Sequence, residues 1–344
     1  MPAPREVLAR RLAFQAEGCT ALGSPFYGAL LESAVADLDT DGPVWGVLAG
    51  FENESGWAAI ALRLMGAVHR LVLTGEAPEL ACHYPSAGGD GDAVAAWPVF
   101  RRVLVDRREE IRGLVRRGCQ TNEVGRSAAL LGGFLEVAHR TRLPLRLLEI
   151  GASAGLNLRW DRYRYEAAGA EWGDPQSRVR FQGFFDVPPP MARDVEIAER
   201  AGCDLAPLDP TSAEGSLTLR SFVWADQLGR LSLLDGALEI ASEMPVSVER
   251  LDAVAFLESE LANAVPDIAT VVYHSVFLQY LDVAAREELE RLIRSAADAA
   301  ALNAPIFRLS MEPSHERPGF DIRLGDELLG TSRAHGTGVR WLVR

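Results

Sequence analysis

The stretch "RLLEIGASAGLNLRWDRY", Arg146–Tyr163, restricts the fold more than any other part of the chain. "LRLLEI" is a short apolar run that ends in a glycine turn, the pattern of one buried strand feeding a tight loop. Two motifs overlap in that loop. E-x-G-x-x-x-G, carried by Glu149, Gly151 and Gly155, is the cofactor-cradling turn of a Rossmann unit, where glycine lets the backbone approach a ligand. G-x-S-x-G, with Ser153 at its apex, is the nucleophile elbow of an α/β-hydrolase. Both demand an α/β sheet, and they predict different chemistry.

The segment upstream separates them. Residues 1–143 read as helical, from "PREVLARRLAFQAEGCTALG" and "SPFYGALLESAVADL" to "NEVGRSAALLGGFLEVAHRT". The Ser-Pro pair at Ser24 and Pro25 suits a helix start. These residues are expected to form an all-helical cap domain. A hydrolase needs several strands and an HGGG-like oxyanion element before its elbow, and neither precedes Ser153. Its one supporting feature is His335 in "RAHGTG", which follows the serine in the required chain order.

Downstream, strands and helices alternate. "VEIAERAGCDL", "VSVERLDA", "IATVVYHSV" and "PIFRLSMEP" read as strands with helical runs between them. Such alternation predicts a mostly parallel sheet with helices on both faces. A Rossmann-like, methyltransferase-type domain is expected over 144–344. It carries an antiparallel hairpin insertion at about 162–187, where the sequence alternates and is broken by glycine and proline.

In such a sheet a cofactor lies across the carboxyl ends of the strands, and acids there bind it. Asp204 ends the second strand and is expected to accept the ribose hydroxyls. Asp252, followed by the small Ala253, is expected to accept the adenine amino group. Glu149, Gly151, Ala152, Ser153, Gly155 and Asn157 make up the turn. The G-x-G-x-x-G of nicotinamide cofactors is absent. An acid two residues before the first glycine is similar to the first motif of class I S-adenosylmethionine-dependent methyltransferases. Ser153 stands where those enzymes usually have a middle glycine.

Composition excludes other classes. All 35 basic residues are arginine, so P-loop, kinase-lysine and Schiff-base chemistries are ruled out. The net charge of −13 opposes a nucleic-acid partner. "RWDRYRY" interleaves arginine with tyrosine, and reads as a charged, partly packed face. Four scattered cysteines form no C-x-x-C pair and suit a reducing compartment. With no signal-like N-terminus and no membrane-length apolar run, a cytoplasmic location is expected.

Three further clusters carry polar side chains. In "QTNEVGR", Thr121 or Asn122 can cap a helix; alternatively Asn122, Glu123 and Arg126 line a substrate pocket over the sheet edge. "YHSVFLQY" follows a buried strand. There His274 is the candidate general base, Tyr280 is a second candidate catalytic residue facing substrate, and Gln279 is a candidate substrate-binding residue. In "MEPSHERPG", Glu312, His315 and Glu316 are the nearest approach to a metal site, and no metal is expected.

The strings "GSPFYGALL", "HYPSAGG", "QTNEVGR", "LLEIGASAGLNLRWDRYRY", "GCDLAPLDP", "FVWADQLGRL", "VVYHSVFLQYL" and "AHGTGVRW" together resemble a bacterial family, the domain of unknown function 2332. That family is grouped with methyltransferase-like Rossmann folds. The resemblance implies a methyltransferase-like fold and leaves the substrate open. Three expectations follow. One is a methyltransferase that uses S-adenosylmethionine on a small molecule. The second is a cofactor-binding regulatory protein on the same scaffold. The third is the Ser153 hydrolase.

Overall fold

The computed structural model describes residues 3–55, 59–263 and 265–343. The chain divides into two compact units, Met1–Thr121 with Ala213–Ser232, and Asn122–Ser212 with Leu233–Arg344.

The described residues of the first unit form helices and no strand. Pro4–Ala21, Pro25–Asp39 and Pro43–Leu48 each begin with proline, whose missing N–H costs nothing at a helix start. Asp92 caps Ala93–Asp106 by accepting from the Val94 and Ala95 N–H groups. Leu8, Leu12, Leu30, Leu38, Leu64, Val68 and Phe100 recur at helical spacing and are completely buried in one core. The segment Ala213–Ser232 joins that core through Trp224 and Ala225.

The second unit is α/β. Its strands are β1 (Leu145–Ile150), β2 (Arg164–Ala167), β3 (Ala170–Trp172), β4 (Arg180–Gln182), β5 (Phe185–Val187), β6 (Ile197–Asp204), β7 (Ser247–Arg250), β8 (Ala269–Ser275), β9 (Ile306–Pro313), β10 (Phe320–Leu324), β11 (Glu327–Ser332) and β12 (Val339–Trp341). The large sheet has the order β5-β12-β11-β10-β9-β8-β1-β6-β7. From β7 to β9 all pairings are parallel. β10, β11 and β12 continue as an antiparallel meander, and β5 closes the far edge parallel to β12. The chain therefore steps from β1 outward to β6 and β7, then crosses back to β8 and β9. The switch point lies between β1 and β8, where an open α/β sheet forms its ligand crevice.

Helices cover both faces. Leu148, Ile150 and Val272 pack against Phe256, Leu257, Leu289 and Ile293 of the helices Ala253–Glu260 and Val283–Ala299. The alternate residues face the helix Arg126–Thr141, where the Phe134 ring meets Tyr273 edge-on at 5.1 Å. Gly132 and Gly133 let that helix lie close to the sheet. A Cβ on Gly133 would enter the Leu309 side chain, and one on Gly132 would enter the Trp341 ring. Gly132→Ala should therefore lower stability by about 1–3 kcal/mol, although alanine favours a helix by about 1 kcal/mol. A rise in melting temperature would contradict this packing.

This helix corrects the sequence boundary at 143. It belongs with the sheet, so the division falls after Thr121, and 213–232 returns to the first unit. The insertion also differs from a single hairpin. β2 and β3 do form the antiparallel hairpin. However, β4 joins β2 in parallel, and β5 leaves for the large sheet. Among the described residues no helix is long and apolar enough to cross a membrane.

Candidate functional site

The glycine turn after β1 is built from left-handed backbone. Gly151, Ser153 and Gly155 have φ of +69°, +52° and +65°. The Phe277 ring sits where a Gly151 side chain would be, and Val248 lies 2.8 Å from the Cβ position of Gly155. Only glycine suits those two positions, whereas Ser153 bears a strained conformation. The Ser153 N–H donates to Asp204 Oδ2 at 2.9 Å, and the Ala206 N–H donates to Asp204 Oδ1 at 2.9 Å. Asp204 thus ties the turn to the loop after β6.

The turn does not continue as the regular helix expected from "AGLNLRWDRY". Leu156–Arg162 is a 3₁₀ segment kinked at Arg159. The cause is a pair of local side-chain hydrogen bonds. Tyr163 and Tyr165 hydroxyls donate to the carbonyls of Leu156 (2.6 Å) and Trp160 (2.7 Å), which an α-helix would pair with later N–H groups. Trp160 is stacked between Phe134 and Trp172 at 4.4 and 5.1 Å. The arginine–tyrosine run is therefore packed into the core, with Trp160, Tyr163 and Tyr165 fully buried.

"QTNEVGR" bolts the loops of this edge together. Asn122 Oδ1 accepts from the Leu156 N–H at 2.9 Å. The buried Asn157 accepts from Ser127 Oγ at 2.7 Å and donates to the Glu123 carbonyl at 3.3 Å. Glu123 Oε1 accepts from the Gly125 N–H at 3.2 Å. Arg126 donates to the carbonyls of Ser275 (3.1 Å) and Ala334 (3.4 Å). The backbones of Gly125 and of His335–Gly336 meet with no room for a Cβ on either glycine.

Glu149 is 3% exposed and accepts from the Tyr273 hydroxyl at 3.3 Å. Burial pushes its carboxyl up to about 8, against the pull of Tyr273 and Arg159. It is thus a neutral acid at pH 7 rather than an anion. Asp252 caps the helix Ala253–Glu260 through Oδ1, which accepts from the Val254 N–H at 2.8 Å. Ala253 is buried in the core beneath it.

His274 is on the opposite sheet face from Tyr273 and Glu149. It is 1% exposed, and its Nδ1 lies 2.7 Å from Glu312 Oε1. The same oxygen accepts from the Phe277 N–H at 2.9 Å, while Glu312 Oε2 is buried with no hydrogen-bond partner. With Nδ1–H donated to the carboxylate, Nε2 is left as the basic nitrogen.

A family model described as "Uncharacterized protein conserved in bacteria (DUF2332)" matches residues 9–341. The chain belongs to this family. No curated protein and no solved structure matches it.

Every site segment of the second unit lies within the part matched to DUF2332. Of the residues expected from sequence, hydrogen bonds join Asn122, Glu123 and Asn157 with the loops around the turn, and Ser153 with Asp204. Tyr280 lies apart on the 3₁₀ turn Leu278–Tyr280, 55% exposed, with Gln279 half-buried beside it. Two residues went unassigned by sequence reasoning. Tyr273 faces Glu149, and Glu312 orients His274. Glu312 had a visible signal, an acid closing the buried strand "PIFRLSMEP". Its place beside His274 comes from the pairing of β8 with β9, which sequence spacing does not carry.

Proposed function

We propose that this chain is an S-adenosylmethionine-dependent methyltransferase acting on a small molecule. The observation that carries the reading is the order β7-β6-β1-β8-β9 with a glycine turn after β1 and acids closing β6 and following β7. The finer assignment, a Rossmann-like methyltransferase-type sheet, rests on the same observation.

The residues present fit the cofactor. Each Asp204 oxygen accepts one N–H and keeps a second lone pair for a ribose hydroxyl. Asp252 uses Oδ1 as a helix cap, which leaves Oδ2 for an adenine amino group. Gly151, Ala152, Ser153 and Gly155 would border the methionine end, and Glu149 would meet it as a neutral hydrogen-bonding acid. When bound, the cofactor supplies an electrophilic methyl group on a sulfonium. His274, held by Glu312, would take the proton from the acceptor oxygen or nitrogen through Nε2. Its burial keeps bulk water from that nitrogen. Asn122, Glu123 and Arg126 would position the substrate by holding the loops that border it.

Calorimetric titration of the full chain with S-adenosylmethionine and S-adenosylhomocysteine tests this. Both should bind. Asp252→Asn should weaken them about tenfold, roughly 1.4 kcal/mol. Asparagine keeps the helix cap with its oxygen and turns an NH₂ toward the adenine. No binding at millimolar ligand in folded protein would overturn the reading. Binding with no turnover over a broad substrate panel would favour the regulatory alternative. One observation supports the hydrolase alternative. Ser153 has the strained positive φ that a nucleophile elbow needs, and on that alternative alone a fluorophosphonate probe would label Ser153.

A further inference from the structure

The first unit contains a serine–histidine pair that the proposed methyl transfer does not use. His69, in the helix Ile60–Leu73, is completely buried. Its Nδ1 lies 3.1 Å from the Ser221 carbonyl oxygen, and its Nε2 lies 2.7 Å from Ser86 Oγ. A carbonyl can only accept, so Nδ1 carries the proton. Nε2 is then the acceptor, and the Ser86 hydroxyl donates to it. The tautomer is fixed by the fold, with the carbonyl as the third, orienting group.

The surroundings hold this geometry. Tyr84 lies 5.6 Å from the imidazole by ring centres, and Tyr27 meets it edge-on at 6.4 Å. Phe26 braces Tyr84 edge-on at 5.1 Å. Burial pushes His69 down to about 4, against the pull of the Ser221 and Val223 carbonyls, so the ring stays neutral at pH 7. Ser86 differs from His69 in being only half-buried. It sits in the 3₁₀ turn Pro85–Ala87, which ends at the left-handed Gly88. The pair therefore joins a buried base to a serine on a half-buried turn. Nucleophile, base and orienting group in hydrogen-bond contact are the arrangement of covalent catalysis.

We propose that Ser86 is a nucleophile activated by His69, and that this pair cleaves activated carboxylic esters. Ser86 Oγ attacks the acyl carbon as its proton passes to His69 Nε2. The carbon–oxygen bond to the leaving alcohol breaks, and the alcohol takes the proton from Nε2. Water then attacks the acyl carbon, gives a proton to Nε2, and releases the acid as Ser86 Oγ recovers that proton. A weakly basic imidazole gives limited help, so the substrate class is esters with good leaving groups rather than amides.

The test uses the full chain and a fluorophosphonate probe, with the adduct mapped by mass spectrometry. The O–P bond forms and fluoride leaves. One adduct per chain is expected, on Ser86, and absent from Ser86→Ala and from urea-unfolded protein. His69→Asn keeps a donor for the Ser221 carbonyl and removes the base, so labelling should slow at least tenfold. If His69→Asn does not fold, the comparison of native with unfolded chain still decides. The proposal is overturned by no adduct on folded wild type, by an adduct on Ser153 that Ser86→Ala leaves intact, or by equal labelling of native and unfolded chain. The state of Ser86 leaves the cofactor titration unchanged, whereas an adduct on Ser153 would favour the hydrolase alternative.

Discussion

Replacing Glu149 by Gln is expected to leave stability almost unchanged at pH 4 and to raise it above wild type at pH 9. The carboxyl moves from 4.5 when free to about 8 when folded, chiefly through burial. Between those values the folded state holds a proton that the unfolded state has released, so wild-type stability falls as pH rises. The stabilisation linked to this proton is complete below 4.5 and is lost as pH rises through about 8. At about 1.4 kcal/mol per pH unit, the ceiling is about 5 kcal/mol. Relaxation around a charged carboxylate should leave a few kcal/mol of this. Glutamine has nearly the shape of the neutral acid and cannot ionise, so the difference between the two stability curves isolates this group. Denaturant melts from pH 4 to 9 measure it. Parallel curves would mean that Glu149 ionises freely in the folded protein.

Gly336→Ala is expected to cost about 2–5 kcal/mol, while Gly338→Ala costs only about 1–2 kcal/mol. Both glycines are left-handed, with φ of +75° and +61°, and a side chain there costs roughly 1–2 kcal/mol. They differ in their neighbours. A Cβ on Gly336 would enter the Gly125 carbonyl and come within 2.8 Å of the Arg126 Cα, all of it backbone. A Cβ on Gly338 would meet only the Arg333 side chain, at 3.2 Å or more, and that chain can move aside. The excess at 336 is an overpacking cost of about 1–3 kcal/mol. Equal losses at the two positions, read from urea midpoints, would contradict the backbone crossing that holds "QTNEVGR" against "AHGTG".

The strands of the parallel half were legible because each is a short apolar run bounded by breakers. "LRLLEI" predicts β1 to the residue, and "IATVVYHSV" and "PIFRLSMEP" contain β8 and β9. The α/β architecture and its large, mostly parallel sheet follow from that alternation. Contacts between distant segments were not legible. The helical spacing of "GLNLRWDRY" likewise does not announce that the Tyr163 and Tyr165 hydroxyls will take its carbonyls and hold it as a 3₁₀ turn. The helix of 126–141 resembles its predecessors in composition, and only the close approach of Gly132 and Gly133 to the sheet assigns it to the second unit. Asp204 and Asp252 were visible at strand ends, but their hydrogen bonds to main-chain N–H groups needed coordinates. His274 was visible as a histidine and Glu312 as an acid closing a strand, but their contact was not.

The pairing of β5 with β12 sets an order of events during translation. Phe185 is paired with Val339, so about 150 residues must be synthesised after β5 before its partner exists. A nascent chain can assemble β1, β6, β7, β8 and β9 in the order they emerge from the ribosome. The segment around β5 must wait, held only by the small β2–β4 sheet beside it in sequence. The edge strand β5 therefore gains its partner only after β12 has been made. A chain cut short before Val339 would leave β5 unpaired and the outer edge of β11 open to another chain.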